Sequence, residues 1–128
     1  MTDRPIRILL DASAIDAFCR GSVHVGEPMS EVFGEGAVVG LPLLCLVESH
    51  RLVADADLLH HLVTRESTVI LAPAVGEWRD LAAYTDVIGR RDAASAAHAA
   101  VDLAASLLTT RPDLYSNLPG GGPIISAA

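Results

Sequence analysis

The sequence predicts an α/β fold, a central and mostly parallel sheet of four to five strands flanked by helices. Three observations carry that expectation. Strand-like and helix-like segments alternate along the whole length, the pattern of a parallel sheet with helical crossovers. The run Ile6-Arg7-Ile8-Leu9-Leu10 is almost continuously apolar, as expected of a strand covered on both faces. The stretch Asp92 to Ala105 is mostly alanine, which favours helix and offers a small-residue face for close packing on a sheet.

Taken in order, the first strand runs from Ile6 to Asp11 and a short helix from Ala12 to Cys19, closed by Gly21. Between Gly26 and Gly36 one helical turn is expected at Ser30 to Phe33, with Ser30 capping it before Glu31. Ala37 to Gly40 reads as the second strand. Pro42 then opens a helix to Ala54, because its missing N–H has no intrahelical partner in the first turn. Asp57 to Thr64 is another helix, and the β-branched, apolar Ser67 to Leu71 is the third strand. Pro73 opens a helix that carries Trp78 and Leu81 and breaks at Gly89. In the alanine helix, Ala93, Ala96, Ala97, Ala100, Val101 and Ala104 form the packing face. Ser106 to Thr109 is the fourth strand and Pro112 to Asn117 a short helix. A last strand, Pro123 to Ser126, follows the Gly120-Gly121-Gly122 turn.

At 128 residues the chain suits one domain, residues 1–128, with no internal repeat or linker. A hydrophobic fraction of 51% and a mean hydropathy of +0.40 exclude disorder. The longest apolar stretch, Ala37 to Val47, is interrupted by Gly40 and Pro42 and falls short of the ~20 residues a membrane span needs. Ile8-Leu9-Leu10 ends at Asp11, too short for a signal peptide, so a cytoplasmic location is expected. Cys19 and Cys45 lack metal-site spacing and read as buried free thiols. Nine basic residues, all arginine, stand against 16 acidic ones, a net charge of −7. That balance argues against broad, nonspecific nucleic-acid binding, although a local arginine patch or bound divalent cations reverse the sign where they sit.

Three carboxylates stand out. Asp11 lies at the carboxyl end of the first strand, where open parallel sheets present their ligand crevice, and it is equally well placed to cap the following helix. Glu48 has Leu44, Cys45, Arg51 and Leu52 as its helical neighbours, so it pairs with Arg51 at the surface or sits beside apolar ground and needs a cation. Asp92 opens the alanine helix, where the helix dipole favours an anion. Strand ends and helix starts share one side of a parallel α/β sheet, so the three converge. At ~4 Å and an effective dielectric of about 20 they would repel by a few kcal/mol per pair, which a hard divalent cation relieves.

The chain resembles PIN-domain ribonucleases, in particular the VapC-like toxins of bacterial toxin-antitoxin pairs. The resemblance rests on Leu9-Leu10-Asp11-Ala12-Ser13-Ala14, Leu46-Val47-Glu48-Ser49-His50-Arg51, Asp92-Ala93-Ala94-Ser95-Ala96-Ala97, Leu107-Leu108-Thr109-Thr110 and Arg111-Pro112-Asp113-Leu114-Tyr115, in order over residues 5 to 126. It implies a PIN-like fold and a Mg2+- or Mn2+-dependent hydrolysis of RNA. Asp11, Glu48 and Asp92 would be catalytic metal ligands, with Ser13 and Thr109 lining the site. A homodimer held inactive by a cognate antitoxin is implied as well. The sequence departs from the family at Arg111, two residues after the strand-end Thr109, where the family carries Asp. Asp113, two residues further, supplies a displaced fourth carboxylate or none; the first is expected, since Pro112 leaves Arg111 in extended backbone and puts Asp113 in the first turn of the next helix.

The remaining polar residues fall into smaller roles. Arg90 and Arg91 precede Asp92 and, with Arg111, are candidate phosphate contacts at the mouth of the site. The five histidines lack metal spacing, adjacent His60 and His61 diverge, and His98 is expected to pair with Asp102. Two rivals remain. Arg111 turned into the cleft would pair with the carboxylates and leave a catalytically silent PIN-like binding module. A phosphoryl-transfer domain would need a second Asp after Asp11-Ala12-Ser13 and a phosphate-cradling glycine loop, and neither is present.

Overall fold

The computed structural model describes residues 4–128. Strands β1 (Ile6–Leu10), β2 (Val38–Pro42), β3 (Thr68–Leu71), β4 (Ser106–Thr109) and β5 (Ile124–Ser126) form one sheet in the order β3-β2-β1-β4-β5. Every neighbouring pair is parallel. The described helices are α1 (Ala12–Cys19), α2 (Val23–Gly34), α3 (Leu43–Leu52), α4 (Ala56–Val63), α5 (Trp78–Ile88) and α6 (Arg91–Leu103). None is long and apolar enough to cross a membrane.

Parallel strands have to be covered on both faces, and the apolar pattern of the central strands follows from that need. Leu9, Leu10, Val39, Leu41, Leu107 and Leu108 are fully buried. At Gly40 the side chains of neighbouring strands close over the backbone, so that a Cβ would meet Leu71 Cδ1 at 2.8 Å and Ile6 and Leu9 at 3.2 Å, and a larger residue would push them aside. The alanines of α6 let that helix approach closely: Ala93, Ala94, Ala96, Ala97 and Ala100 are all buried.

Several boundaries differ from those read off the sequence. Instead of one turn at Ser30, α2 spans 12 residues with Pro28 inside it, and Ser30 lies mid-helix rather than at a cap. Val25, Met29 and Val32 form its buried face, and that burial overrides the local cost of Gly26 and Pro28. Pro42 does not open a helix. It ends β2 in register with Leu71 and stands as the extended N-cap of α3, where its fixed φ fits equally well. Pro73 likewise lies outside any helix; a 3-10 turn at Val75–Glu77 comes first, and α5 begins at Trp78. The alanine helix ends at Leu103, because Ala104 turns left-handed (φ 53°) and Ala105 N–H bonds back to the Ala100 carbonyl at 2.9 Å. Val101 and Ala104 face solvent and are not part of the packing face. His98 pairs not with Asp102 but with Glu77 and Asp80, at 3.6 and 3.7 Å, because α5 packs beside α6 and brings those carboxylates across.

Strand order places the site. From β1 the chain runs outward to β2 and β3, then returns to the other side of β1 as β4. The carboxyl ends of β1 and β4 thus flank the point where the order reverses, the usual crevice of an open α/β sheet.

Candidate functional site

Asp11 follows β1 directly and is 2% exposed. Cap and cleft residue turn out to be one and the same: Oδ1 accepts from the Ala14 N–H at 3.0 Å and from Ser13 Oγ at 2.6 Å, while Oδ2 accepts from the Tyr115 hydroxyl at 2.6 Å. All three donors are neutral. Because the one hydroxyl proton of Ser13 goes to Asp11, Thr109 Oγ1 is the donor in its 3.2 Å contact with Ser13 Oγ. Ser13 Oγ also accepts from the Thr110 N–H at 3.0 Å, and Thr109 Oγ1 from the Arg111 N–H at 2.9 Å. These bonds tie the end of β4 to the start of α1 and fix the orientation of Asp11.

On the facing side, Asp92 sits in the first turn of α6. Arg90 grips it with both arms of its guanidinium, Nε to Oδ1 at 3.2 Å and Nη2 to Oδ2 at 3.0 Å. The same Nη2 lies 4.0 Å from Glu48 Oε2, and Glu48 also pairs with Arg51 across one helical turn of α3. Beneath them the Cys45 thiol donates to the Asp92 carbonyl at 3.3 Å, locking α3 against α6.

A cleft of about 250 Å3 separates the two sides, and Asp11, Ser13, Asp16, Arg90, Asp92 and Arg111 supply its polar lining. Larger cavities lie elsewhere, of about 650 Å3 beside Phe18 and Arg65 and about 570 Å3 beside Leu46 and Ile70. Volume does not select the site; the convergence of charged groups at the strand ends does.

The structure thus brings together five of the residues singled out in the sequence: Asp11, Ser13, Arg90, Asp92 and Arg111. Thr109 is fully buried just beneath them. Glu48 adjoins the cleft through Arg90 rather than lining it. Arg91 projects from the opposite side of the α6 start, toward Trp78 and Asp86. Asp113 does not turn in as a fourth carboxylate. Arg111, at the mouth of the cleft, forks onto it, Nε to Oδ1 at 3.1 Å and Nη2 to Oδ2 at 2.9 Å, both side chains being solvent-exposed, because the 3-10 turn at Pro112–Tyr115 points Leu114 and Tyr115 inward instead. Sequence reasoning missed Tyr115 and Asp16. A tyrosine beside the strand-end motif carries no local signal for a bond made 104 residues away.

The surroundings shift several groups. Burial first, then the charge of Asp11 and its hydrogen bond, push the Tyr115 phenol far above its ordinary range, so it stays a donor. Burial, with Asp11 and Asp92 nearby, also raises the Cys45 thiol well above normal. The bond to Asp92 holds Arg90 more firmly protonated, with Glu48 adding to it against a desolvation cost. Arg111 holds the Asp113 carboxyl below the usual range through their hydrogen bonds.

An all-carboxylate donor set has the hard chemistry that Mg2+ or Mn2+ requires. As placed, however, the side chains do not form a metal cage: among the described residues no three of His, Cys, Asp and Glu converge to hold an ion. Arg90 stands between Asp92 and the rest, supplying the positive charge from within the chain.

No protein-family model matches the chain, and no curated protein does. Among solved structures it is similar to PAE2754 from Pyrobaculum aerophilum, at a TM-score of 0.65 and 17% identity, over 96% of this chain and 92% of that one. The two share a fold. The five-stranded, all-parallel sheet with six described helices is consistent with the PIN-like architecture expected from the sequence.

Proposed function

We propose that the chain is a PIN-like ribonuclease of the VapC type, acting on RNA with Mg2+ or Mn2+ as the toxin half of a toxin-antitoxin pair. The observation that carries this reading is the pairing of Asp11 and Asp92 across a cleft at the strand-order reversal, with Arg90 and Arg111 on its rim. A bound divalent ion would supply an activated water and neutralise phosphate charge. The chain's own contribution is separable from that. Ser13, Ala14 and Tyr115 hold Asp11 at a fixed angle, and Arg111, half exposed at the mouth, would have to exchange Asp113 for a phosphate to present its planar fork. The proposal extends to a homodimer restrained by a cognate antitoxin, for which exposed apolar side chains such as Leu43, Val47 and Trp78 are available.

A second reading, a catalytically silent PIN-like module, is favoured by one observation: the Arg90 fork satisfies Asp92 without any metal. Cleavage of a labelled RNA pool with Mn2+ or with chelator, by the parent and by Asp11→Asn, separates the two. The ribonuclease reading expects cutting that requires metal and vanishes in the variant, whose amide keeps the cap but loses the anion. Cutting by Asp11→Asn at the parental rate would remove Asp11 from the chemistry, and no cutting by the parent favours the silent module.

A further inference from the structure

The arginines around the cleft are already engaged: Arg20 with Asp16, Arg51 with Glu48, Arg90 with Asp92 and Arg111 with Asp113. Arg79 and Arg91 differ, being exposed and paired with no carboxylate among the described residues. Both stand beside Trp78, the chain's single tryptophan, which is 62% exposed at the start of α5. The Arg79 guanidinium lies 5.2 Å from the centre of the indole ring. Arg91 and Trp78 line a hollow of about 350 Å3, with Leu44, Leu81 and Asp86 among its other walls.

We propose that Trp78, with Arg79 and Arg91, is a stacking platform for an unpaired base of an RNA strand, next to the cleft but distinct from it. This rests on the ribonuclease reading and adds to it the single-stranded form of the substrate and the residues that grip it. An aromatic ring flanked by free guanidiniums suits single-stranded nucleic acid: the base stacks on the ring, and the neighbouring phosphates meet the charges. A purely apolar partner would strip water from both guanidiniums without giving them an anion, so charge complementarity favours a polyanion. Binding there breaks no ion pair, since Arg79 and Arg91 have none among the described residues. Asp86, the one carboxylate of the lining, is an acceptor for a base's amino group or a ribose 2′-hydroxyl. The platform is also well placed. Arg90 and Arg91 project to opposite sides of the α6 start, Arg90 into the cleft and Arg91 toward the indole. The two sites flank one peptide unit, whose Cα atoms are ~3.8 Å apart, so one strand can lie across both. Trp78 is thereby assigned to RNA, and Leu43 and Val47 are left to a protein partner.

Because the chain has one indole, its emission reports the platform directly. The test titrates the protein with a short unstructured RNA strand and with an RNA duplex of equal length, in chelator so that nothing is cut. Trp78 fluorescence follows the parent, and anisotropy of the labelled strand gives the affinity of each variant, with folding checked by circular dichroism. The single strand should quench the emission and the duplex should not, since its bases are stacked on one another. Trp78→Ala should weaken binding about tenfold, the effect of one lost base stack, and Trp78→Phe, which keeps a ring face, should stay within about threefold of the parent. Arg91→Gln should weaken binding and flatten the slope of log K against log salt by about 0.7. Equal binding by Trp78→Ala and the parent would remove the platform while leaving RNA recognition in place. Equal quenching by the duplex would reduce the site to phosphate attraction and overturn the proposal. So would an emission that shifts with protein concentration alone, which would make the indole a contact between copies of the chain. If the parent binds no RNA in chelator the platform fails, and cleavage with Mn2+ then decides the ribonuclease reading by itself.

Discussion

Replacing Tyr115 by Phe removes one oxygen atom and isolates the interaction that orients Asp11. The side chain is 1% exposed and its hydroxyl donates to Asp11 Oδ2 at 2.6 Å, short as expected of a bond to a charged acceptor. Phe fills nearly the same volume, so no cavity cost enters. What is lost is a hydrogen bond to a charged group, about 1.5–3 kcal/mol, with Oδ2 left buried and unpaired. For a chain of this size that lowers the melting temperature by roughly 5–15 °C. Thermal and urea unfolding at neutral pH measure it, and a double-mutant cycle with Asp11→Asn assigns it. Because the anion is what makes the bond strong, most of the Phe penalty should disappear in the Asn background. A melting change under about 2 °C, or two effects that simply add, would refute the claim that Tyr115 acts through Asp11.

The same phenol predicts alkaline behaviour. Its folded-state pKa is raised, so its contribution is full below the unfolded tyrosine value of about 10 and is lost as pH climbs beyond it, because only the unfolded chain then ionises. Stability should fall above pH ~10 more steeply in the parent than in Tyr115→Phe, and parallel curves would count against it. Burial raises both thiols, Cys45 well above its ordinary value and Cys19 less so, and only Cys19 is partly open. Iodoacetamide should thus modify Cys19 first and reach Cys45 only on unfolding; equal rates in the native protein would contradict the packing under Asp92. Asp113→Asn should leave Mn2+ affinity unchanged, and Arg111→Asp should weaken RNA binding with little effect on Mn2+, since Asp113 does not line the cleft and Arg111 at its mouth is turned onto Asp113. A tenfold loss of Mn2+ affinity in Asp113→Asn would return that carboxylate to the metal site.

What can be read in the sequence is what neighbouring residues decide among themselves. Ile6 to Leu10 had to be covered on both faces, the alanines from Ala93 to Ala100 had to pack closely, and Asp11, between a strand and a helix, had to stand at the sheet's carboxyl edge. Those are consequences of period, side-chain size and capping chemistry, all within a few residues. The order of the sheet added only that β1 and β4 are adjacent, and with it the position of the crevice. Other features follow from contacts that local preference does not contain. Val25, Met29 and Val32 found a core surface, so α2 runs through Gly26 and Pro28. Tyr115 reaches Asp11 because β4 lies beside β1 and the 3-10 turn after it faces inward, a bond closed over 104 residues. Arg90, rather than Arg111, became the cation at Asp92 because the joint after Gly89 aims it there, while the turn after Thr109 sends Arg111 to Asp113. Which arginine meets which carboxylate is a matter of a few ångströms, and only the closed chain sets distances that small.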